Sequence, residues 1–350
     1  MMCSLTRCGT DLVAAVRSKK RLPSLSRPAR TSATGLDSLV VDLFPPTLAV
    51  FETFRAIPHA HDWLDRLPDL VDRYREQWRL ELEAPYEGGS CSWVAPVTRD
   101  DGSPAVLKIT WPHREGRSEA EGLVRFGGRG AIRCFAYDTD DAAYLLERVE
   151  PGVKLGDADH LPAEDRLRIG TALLRELWSA SVPEPGADTL VESLEAIMDF
   201  WADEAEERDQ RLDHGYDPGV VALGLDVLRN YAKSASRQVL LHGDFNPGNI
   251  LSSHREPWLT IDVKPMVGDP NYDPWPLVEQ IDDPFRAADP ALVRRRFQIV
   301  ADDLGLDLQR MLTWGVGRKT EYALSAADED RRGGAAHIRD ARLLADLAGL

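Results

Sequence analysis

The stretch "LLHGDFNPGNILSS" (residues 240–253) places an acid, Asp244, and two asparagines, Asn246 and Asn249, around a Pro-Gly turn, and "WLTIDVKP" (258–265) adds a second acid, Asp262. Asp244 and Asn249 have the Asp-x4-Asn spacing of a kinase catalytic loop. Oxygen donors of this kind suit Mg2+, which takes one or two side chains and completes its shell with water and phosphate oxygens. Phosphoryl transfer asks little more of a protein. A metal neutralises the phosphates, and a carboxylate orients the attacking hydroxyl and accepts its proton. Asp and Asn also cap turns, so either residue alone implies no chemistry. The set of His242, Gly243, Asp244, Asn249 and Asp262 does.

Several elements must position these groups. A strand-like run, Gln238–Leu241, delivers Asp244 into the loop, and Pro247 and Gly248 force the chain to turn. The segments "NILSS" (249–253) and "WLTID" (258–262) flank the turn "HREP". Paired antiparallel across that turn, they put Ser253 opposite Trp258 and Asn249 opposite Asp262. Further upstream, "AVLKI" turns Lys108 inward among apolar neighbours, where an ammonium needs a phosphate or a carboxylate for company. The following helix offers Glu119 and Glu121, and spacing alone does not choose between them. Gly88, Gly89, Ser90 and Ser92 in "YEGGSCSWV" can present amides and hydroxyls to phosphates, although the stretch is not Gly-x-Gly-x-x-Gly.

The wider pattern is α+β. Trp63, Leu67, Leu70, Val71, Tyr74 and Trp78 form an apolar stripe at helical spacing within a helix-rich stretch over 40–83. Strands are expected at 92–97 and 104–110, joined by a hairpin on Asp101-Gly102, then a helix at 114–126 stopped by Gly127-Gly128, then strands at 131–137 and 142–149. After Pro151-Gly152 helices dominate, at 162–180, 188–210, 218–236, 290–304, 307–326 and 335–348. This predicts a small N-terminal lobe over 39–150 and a larger helical lobe over 151–350, preceded by a disordered basic head over 1–38.

Composition narrows the function. The 350 residues carry a net charge of −16, of which residues 1–31 contribute +6, leaving −22 on the remainder. So acidic a body argues against nucleic acid as a partner; it would suit a cationic ligand or simply aid solubility. No apolar run approaches membrane-spanning length. Cys3, Cys8, Cys91 and Cys134 are scattered without a metal-type pair, which reads as four reduced thiols in a cytoplasmic protein.

"HGDFNPGN" followed by "LTIDVKPMVGDPNYD" resembles the aminoglycoside phosphotransferases, specifically their streptomycin and hydroxyurea kinase branch, and the segments "SEAEGLVRFGGRGAIRCF" and "YLLERVEPG" share that likeness. The resemblance covers about residues 45–330. It implies a protein-kinase-like two-lobe fold and an ATP- and Mg2+-dependent transfer of phosphate to a hydroxyl of a small polar or cationic molecule. It further implies Asp244 as catalytic base, Asn249 and Asp262 as Mg2+ ligands, and Lys108 on the ATP phosphates with Glu119 as its partner. Gly88, Gly89 and Ser90 would cover the phosphates. His242 would be structural, and Leu145–Val149 would be a hinge strand meeting adenine near Glu147 and Val149. Candidate acceptor-binding acids are Asp269, Asp273 and Glu279, with Asp282 and Asp283 close by. Lys264 could steady the loop or contact a phosphate, and the assembly would be a monomer or a homodimer. Three other readings stay open: a metabolic kinase for a sugar, choline-like or amino-alcohol acceptor; a silent nucleotide-binding regulator; and a metal-dependent hydrolase using His59, His61, Asp62, His242 and Asp244.

Overall fold

A computed structural model describes residues 42–55, 57–184, 187–329 and 333–350. The basic head expected over 1–38 therefore lies outside the described residues. The chain divides into two compact units, one running to His113 and taking in Asp140–Leu145, the other comprising Arg114–Thr139 and Leu146–Leu350. The division thus falls at His113 and at both ends of the 140–145 excursion, where the sequence suggested one junction near 150.

In the first unit, helices α1 (Ala49–Phe54) and α2 (His61–Gln77) precede strands β1 (Glu81–Leu82), β2 (Ser92–Thr98) and β3 (Pro104–Thr110). The α2 stripe is buried through Trp63, Leu67, Leu70, Val71 and Tyr74. β2 and β3 pair antiparallel from Ser92↔Thr110 to Thr98↔Pro104. Gly102 closes their turn at φ 79°, a conformation that favours glycine. Lys108 lies opposite Val94 and is 8% exposed, so the inward lysine expected of this strand is present.

The second unit opens with helix α3 (Glu119–Phe126) and strand β4 (Cys134–Asp138); β5 (Ala143–Glu147) crosses the division along the chain. Gly127 stops α3 in the left-handed conformation, as the Gly-Gly pair predicts. Strand β6 (Pro151–Lys154), helix α4 (Ala163–Leu177), β7 (Glu192–Ser193) and helices α5 (Leu194–Arg211) and α6 (Pro218–Asn230) follow. Then come β8 (Val239–Leu241), β9 (Ile250–Ser253), β10 (Trp258–Thr260), β11 (Met266–Gly268) and helices α7 (Trp275–Gln280), α8 (Pro290–Leu304), α9 (Leu308–Glu329) and α10 (Ala335–Ala348). Two three-stranded sheets, ordered β10-β9-β6 and β7-β11-β8, lie among these helices. Neither β6 nor β11 was legible in the sequence. Among the described residues no helix is long and apolar enough to cross a membrane.

Buried charge organises the helical body. Lys319 of α9 is 3% exposed and lies 2.7 Å from Glu279 and 2.9 Å from Asp340. Burial alone would depress the ammonium, but the two carboxylates outweigh it and raise its pKa. Arg255 ties the β9–β10 turn to the segment before β4. Its guanidinium bonds Glu147 at 2.7 and 2.9 Å and the carbonyls of Gly128 and Ala131 at 2.6 and 2.9 Å. Cys134 is a half-buried free thiol whose pKa burial pushes up to about 12.

Arg255→Ala should lower unfolding stability by about 1–3 kcal/mol, since it leaves the half-buried Glu147 carboxylate with only the Arg133 N–H and takes the guanidinium from two carbonyls; denaturant titration checks this. His337 supplies a pH prediction. Burial, helped by Lys319, lowers its pKa, so below about pH 6.5 the unfolded chain binds a proton that the fold resists. Stability should therefore fall as pH drops below that value, and His337→Gln should flatten the slope in melts run from pH 7.5 to 5.5.

Candidate active site

The loop after β8 is shaped by what its backbone must satisfy. β8 pairs antiparallel with β11, Leu241 opposite Met266, and the Lys264 N–H then donates to the His242 carbonyl at 2.8 Å. This zipper holds the chain leading to Asp244 against the chain leaving Asp262. It works only because residue 243 is glycine: φ is +80°, and a Cβ there would stand 2.0 Å from the Lys264 carbonyl oxygen.

Asp273 fixes the same turn from the other side. Its Oδ2 accepts the His242 N–H and its Oδ1 the Gly243 N–H, both at 2.9 Å, while Trp178 Nε1 donates to Oδ2 at 3.1 Å. The carboxylate is 1% exposed. Asp269 is equally internal, taking Arg310 Nε at 2.5 Å, Trp314 Nε1 at 2.7 Å and the Asn271 side-chain amide at 2.8 Å. Glu279 faces Lys319. These three acids were candidates for acceptor binding. Asp269 and Asp273 are buried with their oxygens on internal donors, whereas Glu279 is half-buried with one oxygen on Lys319.

His242 is fully buried, and its Nδ1 accepts the Asp244 N–H at 3.3 Å. Burial lowers its pKa against the opposing pull of Asp273, Asp244 and Asp262, so the ring is neutral. His242 packs edge-on against Phe245, consistent with a structural place in the loop.

Asn246, which the sequence left without a role, organises the loop. Its Oδ1 accepts the Gly248 N–H at 2.9 Å, capping the short helical turn Pro247–Asn249, while its amide donates to Asp244 Oδ1 at 3.1 Å. One side chain thus closes the turn and aims the acid. The Asn249 amide donates to the Asp244 carbonyl at 3.0 Å, which assigns its nitrogen and leaves the amide oxygen as the acceptor.

The β9–β10 hairpin corrects the expected register by one residue. Trp258 lies opposite Ser252, and the Ile261 N–H, not Asp262, reaches the Asn249 carbonyl. Ser253 belongs to the turn, where its hydroxyl accepts the Arg255 N–H, and it is simultaneously paired with Pro151 of β6, so the turn spans five residues. A one-residue slip alone would send Asp262 to the opposite face. Asp262 instead adopts φ +56°, the left-handed region that Asp tolerates better than most residues, and the chain turns there. Such strain accumulates at functional sites.

Sequence reasoning also left Lys264 undecided and overlooked Glu115. The Lys264 ammonium lies 2.9 Å from Asp244 Oδ2 and 3.9 Å from Glu115 Oε2. Of the two acids on α3, Glu121 is engaged by Arg125, the Thr189 hydroxyl and the Leu190 N–H, whereas Glu119 is 2% exposed. Glu147 is the partner of Arg255, so its side chain belongs to the scaffold. Gly88 and Gly89 are exposed and Ser90 half-buried. His61 bonds the Arg55 carbonyl and His59 packs on Trp111. Among the described residues no cluster of three or more His, Cys, Asp or Glu could hold a metal unaided.

Residues 77–333 match the family model described as aminoglycoside/hydroxyurea antibiotic resistance kinase. The chain is 34% identical to a streptomycin 6-kinase of Streptomyces glaucescens over 75% of its length and 83% of that protein. It is 32% identical to a hydroxyurea phosphotransferase of Kitasatospora aureofaciens over 75% of its own length and 74% of that protein. Among solved structures, a choline kinase from Streptococcus pneumoniae superposes with a TM-score of 0.56 at 12% identity, covering 80% of this chain and 99% of that one. A thermostable aminoglycoside phosphotransferase in complex with ADP and hygromycin B gives 0.56 at 16%, covering 79% and 97%. These last two likenesses show a shared protein-kinase-like fold.

Asp273→Ala strands three buried donors and should lower stability by about 3–5 kcal/mol, whereas Asp273→Asn, which retains one acceptor oxygen, should cost less. Denaturant titration of the two variants beside the wild type checks the order.

Proposed function

Because the chain belongs to the aminoglycoside/hydroxyurea antibiotic resistance kinase family, we propose that it is a Mg2+- and ATP-dependent O-phosphotransferase that inactivates a small antibiotic-like molecule, with a streptomycin-type aminoglycoside or hydroxyurea as acceptor. The observation that carries this reading is the buried Asp244 carboxylate, held by Asn246 and Lys264 in the loop after β8, with Asn249 bonded to its backbone carbonyl. Asp244 accepts the proton of the acceptor hydroxyl while that oxygen bonds the γ-phosphorus and the bond to the β–γ bridging oxygen breaks, releasing ADP.

Asn249 and Asp262 would hold the metal. One amide oxygen and one carboxylate are too few for a closed all-protein site but fit Mg2+, which shares its shell with phosphate oxygens. When bound, Mg2+ offsets the phosphate charge. Lys108, buried in β3, is assigned to the ATP phosphates, with Glu119, the partner that the family likeness implies, taken over Glu121. Gly88, Gly89 and Ser90 are assigned to phosphate cover, and the backbone near Glu147 and Val149 to adenine. A reaction that draws on ATP is proposed to take place in the cytoplasm.

An ATP-consumption screen over streptomycin, other aminoglycosides, hydroxyurea, sugars and amino alcohols tests the proposal. Turnover should require Mg2+ and one of the first three classes; consumption with sugars or amino alcohols alone would redirect it to metabolism. Asp244→Ala should reduce transfer by about 100-fold or more with ATP affinity nearly unchanged, whereas Asp262→Ala should weaken Mg-ATP binding as well. Wild-type activity in either variant would remove that residue from its role.

A further inference from the structure

Both carboxylate oxygens of Asp244 have a donor in this structure, Asn246 Nδ2 at 3.1 Å on Oδ1 and Lys264 Nζ at 2.9 Å on Oδ2. A carboxylate so occupied is a poor acceptor for a further proton, and an incoming hydroxyl needs one of those positions. The Asn246 amide cannot leave easily, because the same side chain caps the turn through Gly248. The lysine can, being a point charge on a flexible stem.

Its destination is visible. Glu115 Oε2 is buried and makes no hydrogen bond, which is unfavourable for an oxygen of a carboxylate. It lies 3.9 Å from the same ammonium, about one ångström beyond a made contact. Glu115, Lys264, Arg114, Ser118 and Glu192 line one small cleft floored by Met266. Its walls are fixed. Arg114 grips Glu192 at 2.7 and 2.5 Å, and Glu192 in β7 pairs with Met266 of β11, the strand that begins two residues after Lys264. The turn Arg114–Gly116 that carries Glu115 is therefore tied to the sheet that carries Lys264.

We propose that Glu115 is a positioning residue, the second seat of a lysine latch: Lys264 rests on Asp244 until an acceptor hydroxyl arrives, then shifts to Glu115 Oε2 and frees Asp244 Oδ2. The catalytic part of this inference rests on the assignment of Asp244 as base. The latch explains why Lys264 is shared unequally between two acids and why a buried carboxylate oxygen stands without a hydrogen bond. Losing the second seat should hinder release of the base and leave the nucleotide unaffected.

Two double-mutant cycles test the latch. In acceptor kinetics, Glu115→Gln should reduce kcat by about tenfold or more with the KM for ATP unchanged, and should have no further effect in the Lys264→Met background. An equal loss in both backgrounds, or no loss in the wild type, overturns the latch. The second cycle needs no turnover. In Asp244→Asn the ammonium should settle on Glu115, so adding Glu115→Gln should lower Tm there by about 2–4 °C more than it does in the wild type. Equal Tm changes in the two backgrounds overturn the latch even if an acceptor is never found. If the wild type phosphorylates nothing while the Tm cycle shows the coupling, the latch stands and the assigned chemistry fails.

Discussion

The site depends on one buried carboxylate that performs no chemistry. Asp273 takes the two consecutive N–H groups of His242 and Gly243, which the turn out of β8 would otherwise bury without acceptors. Unpaired, each would cost about 1–3 kcal/mol, enough to unravel a sharp turn. With them satisfied, Gly243 can sit against the Lys264 carbonyl, β8 and β11 stay paired, and Asp244 and Asp262 leave the two chains close together. The reacting acid thus inherits its position from the backbone, and its own side chain is left for Asn246 and Lys264 to orient.

That arrangement also explains the charge economy around Asp244. Several acids lie near one another, yet each has a distinct occupation: Asp273 on amides, Asp269 on Arg310 and Trp314, Glu279 on Lys319, Glu192 on Arg114. Asp262 stands out through its left-handed backbone and Glu115 through an oxygen without a hydrogen bond. A net charge of −16 therefore misleads if read as an acidic binding surface, since several of the acids near the site neutralise internal cations and backbone donors.

Much of this was legible in the residues. The helices over 290–304 and 335–348 match expectation because their ends carry strong signals, an Asp289 cap and left-handed Gly305 for one and Gly349 for the other. The inward Lys108 and the Asp101-Gly102 hairpin followed from alternation and turn chemistry. The short strands β6 and β11 did not, because three or four residues carry too little periodicity and gain their identity only from a partner. The hairpin register slipped because "HREP" looks like a complete turn, whereas Ser253 joins it through its hydroxyl. The internal partners of Asp269 and Asp273 were not legible for a related reason. Spacing reveals an acid's neighbours along the chain, and their partners Arg310, Trp314 and Trp178 are distant in sequence. Asn246 could have been found, since Asn two residues before a glycine is an Asx-turn signal.

Transfer of a phosphoryl group from ATP to a hydroxyl is the chemistry we propose for this corner of the second unit. Mass spectrometry of streptomycin and of hydroxyurea after incubation with the purified protein and Mg-ATP addresses it most directly. The account predicts one added phosphoryl group on at least one of the two, absent when Asp244→Asn replaces the wild type. A phosphorylated product formed equally well by Asp244→Asn would contradict it.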